Sequence, residues 1–190
     1  MSSHFYAMMS RMKNIQRWGL MRNTRPENLS EHTLEVAFIA HALAIIKNRR
    51  FGGNVDQNAV AVAAMFHDTS EIITGDMPTP IKYYNADIKN VYKEIEGIAQ
   101  NRLIGLLPED LRDDFVPAYN PDSETARLVK AADKISALIK CIEEKNSGNS
   151  EFSSAEKSTL EAIKKMNMPE ADMFLDEFLS SYSLTLDELK

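Results

Sequence analysis

With only one cysteine, Cys141, the 190-residue chain can form neither an intrachain disulfide nor a thiolate metal cluster, so its chemistry must rest on other side chains. Cys141 itself is expected to be a small buried hydrophobe. Excess positive charge is also missing: 22 Lys and Arg against 28 Asp and Glu leave a formal net charge of -6. Gripping a polymer by its phosphates takes clustered cations, so polymeric nucleic acid is not an expected partner. Long apolar runs are absent. The longest, Ala59 to Phe66, is eight residues, where a bilayer span takes about 20. The opening Met1-Ser2-Ser3-His4-Phe5-Tyr6 lacks the apolar core of a signal peptide. A cytoplasmic protein with no membrane partner is the expectation. Glycine and proline are scarce at seven each. No segment alternates long enough to predict a strand, and no low-complexity tract or fixed-period repeat appears.

What remains is helical pattern. Apolar residues recur at spacings of three and four over long stretches, and the length suits one domain, so residues 1–190 read as a single all-α unit. Asn28 or Ser30 can cap a helix running through Leu34, Val36, Ile39, Leu43 and Ile46. It ends in Lys47-Asn48-Arg49-Arg50 before Gly52-Gly53, where cations suit the helix dipole. A second helix is predicted from Asp56 to Thr74, stopped by an extended loop over Gly75-Asp76-Met77-Pro78-Thr79-Pro80. Further helices are expected at about 83–106, 123–147, 151–167 and 170–181. Ala59 to Ile73 and Ala126 to Ile142 are apolar nearly all round, which predicts helices buried inside a bundle.

Both apolar segments nevertheless carry acids. His67 and Asp68 directly follow the apolar run, with Glu71 four residues after His67, and on a helix all three point broadly the same way. Buried ionisable groups are costly unless a charge holds them, and a metal ion meets that need. His32 shares the inward face of Val36, Ile39 and Leu43; Asp133 shares one with Ala126, Val129, Ser136 and Ala137. Two imidazoles and two carboxylates suit one divalent transition metal such as Co or Mn, with Ni, Fe(II) or Zn also compatible. Each residue has a plainer explanation when taken singly. An inward histidine is more often a hydrogen-bonded core residue than a ligand, and Asp133 has Lys130 and Lys134 beside it. Spacing alone does not bring helices thirty or more residues apart together.

The order His32, then His67-Asp68, then Asp133 resembles the HD superfamily of metal-dependent phosphohydrolases. Several segments resemble more narrowly the bacterial 5'-deoxynucleotidases of that superfamily: Asn14-Ile15-Gln16-Arg17-Trp18, Glu27-Asn28-Leu29-Ser30-Glu31-His32, His67-Asp68-Thr69-Ser70-Glu71, Thr74-Gly75-Asp76-Met77-Pro78-Thr79-Pro80 and Val129-Lys130-Ala131-Ala132-Asp133. The resemblance implies an HD-domain helical bundle and a homodimer. It also implies hydrolysis of a deoxyribonucleoside 5'-monophosphate, with His32, His67, Asp68 and Asp133 holding the metal.

By the same resemblance Glu71 is the catalytic acid or base; the alternative is a carboxylate that only orients His67. Arg17 has a catalytic and phosphate-binding role, and Trp18 packs on the sugar where a 2'-hydroxyl would stand. His32, Asp68, Asp133 and the loop residues Asp76, Met77, Pro78 and Thr79 complete the substrate pocket. A two-metal cyclic nucleotide phosphodiesterase is disfavoured, because no histidine lies between Asp68 and Asp133. A nucleoside triphosphate or alarmone hydrolase ranks second, for want of basic residues beyond Arg17, Arg22, Arg25 and Lys82. A decayed, non-catalytic HD scaffold ranks last, since no ligand is missing.

Overall fold

The computed structural model describes residues 2–82 and 84–189, with only the backbone of Thr79. It consists of α1 (Phe5–Met9), α2 (Leu29–Phe51), α3 (Gln57–Phe66), α4 (Glu71–Thr74), α5 (Thr79–Lys82), α6 (Ala86–Ile104), α7 (Arg112–Tyr119), α8 (Ser123–Asn146), α9 (Ser153–Lys164) and α10 (Pro169–Phe178), joined by short 3-10 turns. No strand occurs among the described residues. One isolated antiparallel bridge pairs Gln16 with Asn28.

The central element is α2. Its start is fixed by a reciprocal cap: the Asn28 side chain accepts from the Ser30 and Glu31 N–H groups, and the Glu31 carboxylate accepts from Asn28 N–H. Its end is Gly52, whose φ of 68° is the left-handed conformation that glycine adopts without a Cβ penalty. Between these limits Val36, Ile39, Ala40, Leu43 and Ala44 are buried against α3, α8 and α10. Each of the large ones contributes about 1.5–3 kcal/mol by leaving water. By length and apolarity alone α2 could cross a membrane, but more than half of its most apolar stretch is buried inside the bundle instead.

The other long core helix, α8, begins at Asp122, whose carboxylate accepts from Glu124 and Thr125 N–H. It buries Leu128, Ala131, Ala132, Ile135, Leu138 and Ile139, and Cys141 is fully buried beside them. A second, smaller core of Phe5, Leu103 and Leu107 takes in Phe66 and Phe115, tying α1, α6 and α7 to the end of α3.

Three expectations need correction. The predicted helix from Asp56 to Thr74 is broken. The N–H groups of His67, Thr69, Glu71, Ile72 and Ile73 bond three residues back instead of four, and Thr69 Oγ1 donates to Phe66 O at 2.9 Å. Hydroxyl bonding to nearby backbone competes with the helical ladder. Nor is Ala59 to Ile73 buried all round: Val60, Ala63 and Ala64 face the core, while Val62, Met65 and Ile73 are exposed. Finally, the proline loop is extended only over Gly75–Pro78, and one helical turn, α5, starts at Thr79. The short α1 and the proline-containing α7 were not anticipated.

Candidate metal centre

His32 lies in the first turn of α2 and is buried. Its Nδ1 is 3.1 Å from Ser136 Oγ on α8, and that hydroxyl donates to Glu35 Oε2 at 2.5 Å. Since the serine proton goes to Glu35, the serine lone pair accepts from His32 Nδ1–H, and Nε2 is left to face inward. His67 caps α3 and is oriented the same way, its Nδ1 donating to Ala64 O at 2.7 Å. A metal-binding imidazole is commonly fixed by a hydrogen bond on its other nitrogen.

The two Nε2 atoms meet two carboxylates. Asp68 Oδ2 lies 3.1 Å from His67 Nε2 and 3.6 Å from His32 Nε2, and Asp133 Oδ1 lies 3.2 Å from His32 Nε2. One ligand atom from each of the four residues falls within 4.8 Å of all the others. Ligands about 2.0–2.2 Å from a central cation stand roughly 3.3–3.6 Å apart in a tetrahedron, so these separations fit a transition-metal ion. A further observation agrees: His32 Nε2 and His67 Nε2 are buried yet make no hydrogen bond. Close but unaligned donors around one point are what a shared ligand sphere looks like, and the nitrogen and oxygen set fits such an ion.

Electrostatics sharpen the picture. Burial disfavours charge on Asp68, but His67, His32 and Arg17 outweigh it and hold the carboxyl far below its ordinary range. Asp133 is likewise lowered: burial opposes ionisation, and His32 outweighs it. Burial opposes the His67 charge, while Asp68 and Asp133 push its pKa up to about 9. Both carboxylates are therefore held ionised, the form in which they can ligate a cation, and the positive charge they favour is carried here by His67 and Arg17. Asp133 is less buried than its place among apolar residues suggested, with a side chain 37% exposed. It marks the open side of the site.

Glu71 stands next to this cluster and is buried at the start of α4. Burial first, then repulsion from Asp68 and Asp76, pushes its carboxyl up to about 9. Arg17 comes from the other side, its NH1 3.5 Å from Asp68 Oδ2 and its Nε donating to Glu27 Oε2 at 3.1 Å. Trp18 Nε1 donates to the same glutamate oxygen at 3.0 Å. Asp76 is drawn in as well: burial raises its pKa, against the opposing pull of Arg17 and of a hydrogen bond from the Trp18 backbone. Met77 and Pro78 are half-buried beside it, and the side chain of Thr79 lies outside the described residues. The structure thus brings together His32, His67, Asp68, Asp133, Glu71, Arg17, Trp18 and Asp76. His4 and His41 have no place in the cluster.

Sequence reasoning missed Glu27, Glu35 and Glu144. Glu144 is buried on α8 and accepts from Thr24 N–H, Thr24 Oγ1, Arg25 N–H, Asn149 Nδ2 and Lys140 Nζ. Lys140 also donates to Arg25 O at 2.5 Å. This buried pair clamps the segment that carries Arg17 and Trp18 onto the helix that carries Asp133.

The family model described as 5'-deoxynucleotidase YfbR-like matches residues 4–182. The chain belongs to the YfbR-like 5'-deoxynucleotidase family. Within it, the chain is 48% identical to a 5'-deoxynucleotidase of Vibrio parahaemolyticus, covering 98% of both chains. It is 51% identical to one from Pectobacterium atrosepticum, covering 98% of this chain and 96% of the other. The fold of this 5'-deoxynucleotidase family member is also found in more distant solved structures. An HD-domain phosphohydrolase from Listeria innocua superposes with a TM-score of 0.81 at 22% identity, covering 94% of this chain and 88% of that one. The cyanophage S-2L HD phosphohydrolase, solved with dA and one catalytic Zn2+ ion, gives 0.67 at 21% identity, covering 94% and 96%. The expected all-α HD fold and family are therefore both borne out.

Proposed function

We propose that this chain is a metal-dependent 5'-deoxynucleotidase that hydrolyses deoxyribonucleoside 5'-monophosphates to deoxynucleoside and phosphate. One observation carries the reading: the four candidate ligands converge within 4.8 Å, and Arg17 reaches the same cluster through Asp68. His32, His67, Asp68 and Asp133 would hold one divalent transition-metal ion, which when bound neutralises phosphoryl charge and makes nearby water more acidic.

The protein's own groups supply the rest. Arg17 presents its terminal NH1 toward Asp68, and a guanidinium so placed can grip a phosphate through two of its nitrogens. In the reaction water adds to phosphorus, the P–O5' bond breaks, and the proton lost by water ends on O5'. Glu71 is the residue we assign to carrying that proton, since its buried Oε2 has no hydrogen-bond partner and its carboxyl has a raised proton affinity. Trp18 packs against the deoxyribose, and Asp76, Met77 and Pro78 line the sugar and phosphate pocket. A homodimer and a cytoplasmic location complete the reading; exposed Leu34 and Phe38 on α2 and Val62 and Met65 on α3 supply apolar surface for self-association.

Relative rates on deoxy and ribo mono-, di- and triphosphates, with Co, Mn, Zn and Mg in turn, test the proposal. Selective turnover of deoxymonophosphates is expected. Preferential release from triphosphates would overturn it.

A further inference from the structure

Arg17 and Trp18 are neighbours in sequence, yet their side chains end on one atom. Glu27 Oε2 accepts from Arg17 Nε at 3.1 Å and from Trp18 Nε1 at 3.0 Å. Successive side chains of an extended segment normally point to opposite sides. Here Trp18 adopts a φ of 58°, a left-handed backbone that a bulky residue rarely takes, and both side chains turn toward the same carboxylate. Such strain persists only where the surroundings over-determine it.

The surroundings do so. Arg17 N–H donates to Glu27 O and Leu29 N–H to Ile15 O, both at 2.9 Å, so the two backbones are locked as the Gln16 to Asn28 bridge. Glu27 directly precedes the Asn28 cap of α2, and its side chain is only 13% exposed, against 11% for Arg17. Water has little access to replace this carboxylate. By taking Nε, Glu27 leaves the terminal NH1 facing Asp68 Oδ2 at 3.5 Å. By taking Nε1, it pins the indole, whose ring rests on Phe152 at 5.3 Å between centroids.

We propose that Glu27 is a positioning residue for substrate selection, in which one oxygen fixes the phosphate-gripping guanidinium and the sugar-sensing indole relative to each other. The inference rests on Arg17 and Trp18 being the phosphate and sugar contacts. Glu27 is not one of the four candidate metal ligands, and its side chain accepts from Arg17 and Trp18, so it acts through those two side chains. Recognition of the phosphate and rejection of a 2'-hydroxyl are thereby mechanically linked.

The test uses the metal-loaded protein with dAMP and AMP. Glu27→Ala is expected to lower the dAMP to AMP ratio of kcat/KM by about 10-fold or more, with KM for dAMP rising more than kcat falls. Glu27→Gln should stay within about threefold of the parent, because both donors share one oxygen and an amide oxygen accepts both. Trp18 is the only tryptophan, so its emission reports the contact independently of activity. In Glu27→Ala the emission should shift and become easier to quench with acrylamide, and in Glu27→Gln it should not. Should Glu27→Ala fail to fold, Glu27→Asp, which withdraws the oxygen by one methylene, is expected to behave as the alanine variant would.

An unchanged ratio and emission in the alanine or aspartate variant, or a glutamine variant as impaired as alanine, overturns the proposal. Trp18→Ala measured alongside separates the two levels. If it shifts the ratio and Glu27→Ala does not, only the role of Glu27 falls; if it leaves the ratio unchanged, the sugar contact itself is misassigned.

Discussion

The hydroxyl of Ser136 stands 3.1 Å from Nδ1 of His32, joining α8 to α2 directly behind the candidate metal centre. Beyond it lies Glu35, whose carboxyl is raised to about 7 by burial, against the opposing pull of the serine hydrogen bond. Removing the hydroxyl frees the imidazole to turn and removes the group that fixes its tautomer. Ser136→Ala is therefore expected to weaken metal binding by about 10- to 100-fold while the fold survives. Metal titration followed by calorimetry checks this. Parent-like affinity would show that packing alone orients His32.

Glu71 is not among the four convergent ligands, so ligation and turnover should separate on its removal. Glu71→Ala is expected to retain metal at parental stoichiometry and to lose kcat by about 10²- to 10⁴-fold. Elemental analysis of the purified variant, read beside its steady-state rates, decides the matter. Rapid turnover in a metal-loaded variant would reassign the proton carrier.

Trp18 is assigned a steric task, and steric selection is lost when volume is removed. Trp18→Ala should hydrolyse AMP at a rate approaching that for dAMP, closing the ratio by about 10-fold or more. Competition between the two substrates in one reaction gives the ratio directly.

The clamp at Glu144 predicts an acid-dependent stability. Burial opposes its charge, but Lys140, Thr24 and Asn149 outweigh this and hold the folded carboxyl well below the usual range. A carboxyl depressed on folding stabilises fully above its unfolded pKa, roughly 4.3, and the benefit fades as pH falls below that value. Glu144→Gln leaves Lys140 buried without its counter-charge and is expected to cost about 3–5 kcal/mol at pH 7. Urea unfolding from pH 8 to pH 3 should show the gap between parent and variant narrowing on the acid side. A gap independent of pH would mean that the lost hydrogen bonds, and not the charge, carry the effect.

How far the sequence foretold all this depends on whether the cause was local. The limits of α2 were readable because the Asn28 and Glu31 cap and the Gly52 stop lie within a few residues of the positions they define. The break between α3 and α4 was not, because apolar residues continue from Ala59 through Phe66 into Ile72 and Ile73 whatever the backbone does. Half-exposure of that segment was hidden for the same reason: composition records apolarity, whereas neighbours decide burial. Convergence of His32, His67-Asp68 and Asp133 is a long-range fact, suggested by resemblance and not by spacing. Glu27, Glu35 and Glu144 are common residues in unremarkable local settings, and only their partners across the fold give them meaning.

The reciprocal cap at Asn28 governs more than helix stability. Six consecutive residues, Glu27 to His32, hold the acceptor for Arg17 and Trp18, the two halves of the cap, and the first candidate metal ligand. Were α2 to start one residue earlier or later, His32 would swing by about 100° around the axis. Its Nε2 would leave the cluster, and Glu27 would move with it. If the proposed roles of His32 and Glu27 hold, a single helix-initiation event is the common datum from which both metal affinity and substrate choice are measured.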